Sequence, residues 1–125
     1  MGTPCAIGKK MEDGSVHAIR CNYDGYVAGA GVILGGWYTD AAKVEALLAL
    51  GELSQLAEEL SDCVAYHRDR GEVMRTARNY RDIDAYRRNG RHDCGADYLY
   101  LFDGNRWLAY GIPGEPDWVE IKVEK

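Results

Sequence analysis

Cys21-Asn22-Tyr23-Asp24-Gly25-Tyr26 marks the point where this chain changes its structural period. Upstream, residues 5–11 and 15–22 are two short runs separated by Glu12-Asp13-Gly14. Asp-Gly between such runs predicts a β-hairpin, because glycine accepts the positive φ of a tight turn. His17, Ile19 and Cys21 fall on one face of the second strand and Val16, Ala18 and Arg20 on the other. Neither face is cleanly apolar, which predicts a hairpin at a sheet edge. Downstream, residues 27–38 are small and apolar, with glycine at 29, 31, 35 and 36. Each glycine weakens a helix by about 1 kcal/mol relative to alanine, yet permits close packing. The run reads as a glycine-rich helix, with a buried strand at 32–34 as the alternative. Between the two regimes Asp24-Gly25 reads as a turn, its carboxylate accepting a backbone N–H. Tyr23 and Tyr26 read as packing residues that seat the hairpin on the helical layer.

Farther along, Thr39-Asp40 caps a predicted helix over 41–50, with Ala41, Val44, Leu47 and Leu48 as its apolar stripe and Gly51 as its stop. Residues 53–60 predict a short helix with Leu53, Leu56 and Leu60 inward, and 63–67 a short strand leading into a charged turn at 68–72. Asn79 is the expected cap of a helix over 80–89, with Asp82 as the acid of a capping box, an Asp84–Arg88 pair and a stop at Gly90. Residues 98–102 and 106–110 flank Asp103-Gly104-Asn105 as a second hairpin, and 118–123 alternates like a further strand. The order predicts a single α+β domain over 1–125, a mainly antiparallel sheet with helices packed on one face.

A chain of 125 residues is long enough to bury one core. Its net charge of −5 argues against a general nucleic-acid-binding surface. That balance is uneven: residues 67–91 hold eight arginines against four acids, whereas 1–66 hold four basic and nine acidic side chains. No apolar run is long enough to cross a bilayer and no signal-peptide pattern opens the chain. Met1-Gly2 lacks the Ser or Thr that myristoylation wants at position 6, where Ala6 stands. The four cysteines are therefore expected as reduced thiols in a cytoplasmic protein.

Several constellations invite chemistry. Cys63-x₃-His67 and His92-x-Cys94 have zinc-like spacing. On a strand, however, residues 63 and 67 would stand about 13 Å apart, too far to share an ion. His92 and Cys94 lie in an expected loop between Gly90 and Gly95. Buried thiols and ordinary surface histidines are the plainer reading. A cysteine nucleophile needs an adjacent imidazole; His17 and Cys21 are four residues apart on one strand face, which leaves His67 or His92 to be supplied by the fold. The rhythm of Gly29, Gly31 and Gly35 is G-x-G-x-x-x-G after a hairpin, which does not meet the dinucleotide-binding context. No catalytic set, cofactor or resident metal is expected.

The arginine segment is the functional lead. Arg68, Arg70, Arg75, Arg78, Arg81, Arg87, Arg88 and Arg91 present planar forks for carboxylate or phosphate. Tyr66, Tyr80 and Tyr86 interleave with them and offer stacking surfaces. Three readings stand side by side: a solvated face pairing with Asp69, Asp82 and Asp84, a protein–protein interface enriched in Arg and Tyr, and a nucleic-acid or nucleotide site. The binding residues expected are those eight arginines together with Tyr86.

Four segments also carry a resemblance: Met11-Glu12-Asp13-Gly14-Ser15-Val16 through Tyr26, Tyr38-Thr39-Asp40 through Leu56, Val64-Ala65-Tyr66-His67-Arg68-Asp69-Arg70-Gly71-Glu72, and Tyr98-Leu99-Tyr100-Leu101-Phe102-Asp103-Gly104 with Trp107. In this order the chain resembles a family of small proteins carried by bacteriophages and prophages. It departs from that pattern at Asn22-Tyr23, where the family has His-Trp, and at Val27, where it has Pro. The resemblance supplies no catalytic residues. It implies a phage setting, in which small accessory proteins bind and block host machinery, CRISPR and other defence systems included. The expected partner is accordingly a host protein or complex, with nucleic acid as the alternative and no membrane partner.

Overall fold

β1 (Cys5–Lys10) and β2 (Val16–Cys21) form the hairpin that Asp13-Gly14 predicts, with Cys5 opposite Cys21 and Lys10 opposite Val16. The computed structural model describes residues 2–123; Met1, Glu124 and Lys125, the ends of the expected domain, lie outside the described residues. A π-helical turn at Val27–Gly31 runs into α1 (Val32–Trp37), so the glycine-rich run is helical. α2 (Ala41–Ala49) follows, its first turn capped by Asp40, which accepts from the Ala42 amide at 3.2 Å. Then come β3 (Leu53–Gln55), a 3₁₀ turn at Leu60–Asp62, β4 (Val64–Ala65), α3 (Tyr66–Arg70) and β5 (Arg78–Tyr80). The chain ends with α4 (Ile83–Cys94), β6 (Tyr98–Phe102), β7 (Trp107–Tyr110) and β8 (Val119–Glu120).

The strands make one sheet in the order β4-β3-β2-β1-β6-β7-β8, with β5 also paired to β2. β1–β6 and β2–β3 run parallel, and the other pairings are antiparallel. The fold is thus α+β with a mainly antiparallel sheet. The layering differs from expectation, for helices cover both faces. Cys5, Ile7, Ile19, Cys21, Tyr100 and Phe102 pack against Leu34 of α1, Val44 and Leu47 of α2 and Tyr38 between the two helices. On the opposite face Ala6, Val16, Ala18, Leu99 and Leu101 pack against Tyr86 and Cys94 of α4. The cause is β1, whose successive residues Cys5, Ala6, Ile7 and Gly8 are all apolar or small and all buried, on both faces. A strand without a polar side belongs between two layers. The hairpin therefore occupies the middle of the sheet, not its edge.

Three local expectations are corrected. Residues 53–60 are not helical: after Gly51, Leu53 pairs with Cys21 and continues the sheet, while Leu53 and Leu56 still point into the core. The strand expected at 63–67 is cut to β4, and His67 already lies in α3. The helix expected over 80–89 is α4, capped by Asp82, not Asn79; the Asp82 carboxylate accepts from the Ala85 amide at 2.8 Å. Gly90 does not stop it, because that position faces the sheet and a Cβ there would stand 3.0 Å from Leu99 and 2.9 Å from Tyr86. α4 ends at Gly95, whose φ of 58° suits glycine; the Gly95 amide donates to His92 O and the Ala96 amide to Arg91 O, the paired bonds of a Schellman cap.

Residues 21–26 are a joint. The Gly25 amide donates to Thr3 O at 2.7 Å and its carbonyl accepts from the Tyr100 hydroxyl at 2.6 Å. A Cβ at Gly25 would lie 2.7 Å from that of Cys5. Asp24, not Gly25, takes the positive φ, 58°. Its backbone carbonyl receives the Ala30 amide, and its carboxylate receives the Gln55 side chain at 3.3 Å. Tyr23 and Tyr26 stay about half exposed, the Tyr23 ring against Gly2 and the Tyr26 ring against Gly29 of the helical turn. No helix among the described residues is long and apolar enough to cross a membrane.

Candidate functional site

The arginines do not share one face. Arg68 is consumed internally: Nε and Nη2 bond the two oxygens of Asp69 at 3.0 Å each, Nη1 bonds Leu60 O at 3.0 Å and Nη2 bonds Cys63 O at 2.7 Å. It ties the 3₁₀ turn to α3. The same contacts hold the Asp69 carboxyl below the usual carboxylate range, helped by the Ala65 amide. Arg70 stands 5.2 Å from the centroid of the Tyr66 ring, a cation–π distance.

Arg87 and Arg88 share Asp84, at 2.6 and 2.9 Å, on the outer side of α4. Arg91 is exposed near its end, and Arg81 is exposed beside Asp82 at 3.4 Å. Tyr86 is no surface residue: it is fully buried, and its hydroxyl donates to Tyr100 O at 2.9 Å. Its period within α4 turns it to the sheet, so it drops out of the expected binding set.

Among the exposed arginines, Arg75 and Arg78 flank a cleft. Its volume is about 580 Å³, and it lies between β2 and the last turn of α4. β5 pairs with β2 as far as Ala18 and β3 joins it at Cys21, so Arg20 lies between its two neighbours. Arg20 opens the floor of the cleft, residues 75–78 form one wall, and His92 to Gly95 form the other. Glu52 reaches Arg75 at 4.0 Å. The Tyr80 hydroxyl donates to Asp93 Oδ2 at 3.2 Å and lies 4.0 Å from the Cys94 sulfur. Sequence reasoning passed over Arg20. A signal was present, since Arg20 is the charged member of the face that carries Val16 and Ala18.

The thiols are set for burial. Burial pushes the Cys94 thiol up, against the pull of the Tyr80 hydroxyl, Arg78 and Arg20. The Cys5 thiol is raised by its hydrogen bond with Cys21 and by burial. Cys21 Sγ faces the carbonyls of Tyr23 at 3.7 Å and Ser54 at 3.9 Å, with no imidazole as partner among the described residues. Cys63 accepts the Ala57 amide at 3.2 Å and lies 3.4 Å from the Tyr38 hydroxyl, while His67 Nδ1 meets Glu72 O at 2.8 Å. His92 and Cys94 sit in the last turn of α4 and not in a loop. Among the described residues no group of three or more His, Cys, Asp or Glu is placed to hold a metal ion. Comparison of the chain with family models, curated proteins and solved structures found no match.

Proposed function

We propose that this is a non-enzymatic binding protein of the small phage-encoded kind. In this reading it works in the host cytoplasm by docking residues 70–78 on an acidic surface of a host protein. That protein belongs to a defence complex such as a CRISPR–Cas effector. The observation that carries the reading is Val73, 82% exposed beside the exposed Met74 in a stretch without helix or strand. A lone exposed apolar residue is ordinary. A valine and a methionine framed by Arg70, Arg75 and Arg78 have the composition of an interface centre, where Met and Arg are enriched.

The stretch is pinned near both ends. The Gly71 amide donates to His67 O at 3.1 Å, and Arg75 O accepts the Glu52 amide at 3.0 Å. Part of the ordering cost of binding is thereby met in advance. The arginines give the partner surface its sign. The phage setting rests on the resemblance in sequence.

The test is affinity capture from host lysate with the tagged full chain, run beside an infection assay, for wild type and Val73→Asp. A stoichiometric partner held by wild type and lost by the variant, with a parallel change in infection, is the expected result. Capture of no stoichiometric partner, together with no effect on infection, overturns the reading. So does equal capture by the variant.

A further inference from the structure

Arg20 carries a buried charge-bearing N–H with no protein acceptor. Its Nε has no hydrogen-bond partner among the described residues, although it is shut off from solvent. Such a donor is costly to leave unpaired. The rest of the guanidinium reaches toward the end of α4: a Cβ at Gly95 would stand 3.6 Å from Nη1. Arg78, opposite Ala18 in β5, and Arg75 line the same cleft. The opposing charges are Glu52 and Asp93. Glu52 is loosely paired with the largely exposed Arg75 at 4.0 Å, and Asp93 accepts from Tyr80. Three guanidinium groups thus meet two carboxylates, with His92 on the rim.

We infer that this cleft binds a small organic phosphate, its phosphate group held between the forks of Arg20 and Arg78 with Arg75 at the mouth. Planar forks take phosphate oxygens in pairs, and a dianion satisfies two forks at once where a carboxylate satisfies one. The volume of about 580 Å³ lies in the range of small-molecule sites and leaves room for a body beyond the phosphate. The apolar part of the lining is Ala18, Ile19 and Ala77, and no Phe, Tyr or Trp lines the cleft. The cleft thus lacks the Phe, Tyr or Trp platforms on which single-stranded nucleic acid stacks successive bases, which favours a single small phosphate over a strand. Val73 itself does not line the cleft, whereas Arg75 and Arg78 belong to both the cleft and the docking stretch.

Amide NMR of the full chain decides the question, with inorganic phosphate and ribose 5-phosphate as probes, acetate as the carboxylate control and ionic strength held constant with chloride. Saturable shifts are expected at Ala77 and Gly95, with ribose 5-phosphate binding more tightly than phosphate and acetate giving no saturation. Arg78→Gln and Arg75→Gln, both at exposed positions, should each weaken binding by about tenfold or more. Arg20→Gln should abolish it, and the two exposed variants carry the test if that variant does not fold. Shifts that never saturate, that equal those of acetate or that persist undiminished in Arg78→Gln overturn the proposal.

Discussion

The Tyr86 hydroxyl donates to the Tyr100 carbonyl at 2.9 Å, so α4 is bonded directly to the backbone of β6. Gly8 makes the approach feasible, as a Cβ there would stand 3.1 Å from the Tyr86 ring. Tyr86→Phe keeps the ring and removes the donor. The expected loss is about 1 kcal/mol, read as a lower urea midpoint with an unchanged slope. An unchanged midpoint would show that the bond contributes nothing net to the attachment of α4.

The start of α4 separates two candidate caps. Asp82 accepts the Ala85 amide at 2.8 Å, whereas Asn79 is an exposed residue of β5 opposite His17. Asp82→Ala is expected to cost about 1 kcal/mol and Asn79→Ala less than about 0.5 kcal/mol. Thermal melts of the two variants check the order, and a reversal would move the helix start upstream.

Asp69 gives a pH dependence with a definite sign. Its carboxyl is held below the ordinary value first by the Arg68 hydrogen bonds and then by the Ala65 amide. A group with a lowered folded pKa adds stability above the unfolded value of about 4, and loses it as pH falls through the folded value. Asp69→Asn should therefore be less stable than wild type at neutral pH, and the gap should narrow as pH falls from about 4 through the lowered folded value. The pair is partly exposed, at 35% for each side chain, so screening keeps the effect modest. A gap that stays constant from neutral to acid would assign the effect to shape instead of charge.

What could be read from residues alone was local. Asp13-Gly14 and Asp103-Gly104-Asn105 specify their hairpins because the turn chemistry needs only neighbours. Asp40 specifies its cap for the same reason. Leu53, Leu56 and Leu60 fit a helix period as well as an extended segment laid on the core, and only the open edge of β2 decides between them. Gly90 and Gly95 are alike in sequence; Leu99 and Tyr86, brought in by the fold, make one a packing residue and the other a stop. The arginines depend most on contacts distant in the chain. Their number is visible in the sequence, but Asp84, Asp69 and the sheet sort them into spent and available ones. Arg75 and Arg78 line one cleft with Arg20, which lies far off in the chain.

β1 pairs through Cys5 with Cys21, close by in the chain, and with Tyr98, near the other end. Contacts of such wide separation form late, because a long loop must close before they are rewarded. A chain emerging from the ribosome makes the β1–β2 hairpin early and then carries β1 with one side unpaired. Unpaired apolar strands are templates for wrong partners. The strand at the centre of the finished sheet is thus an open edge for most of its own synthesis, and residues 98–102 are what close it.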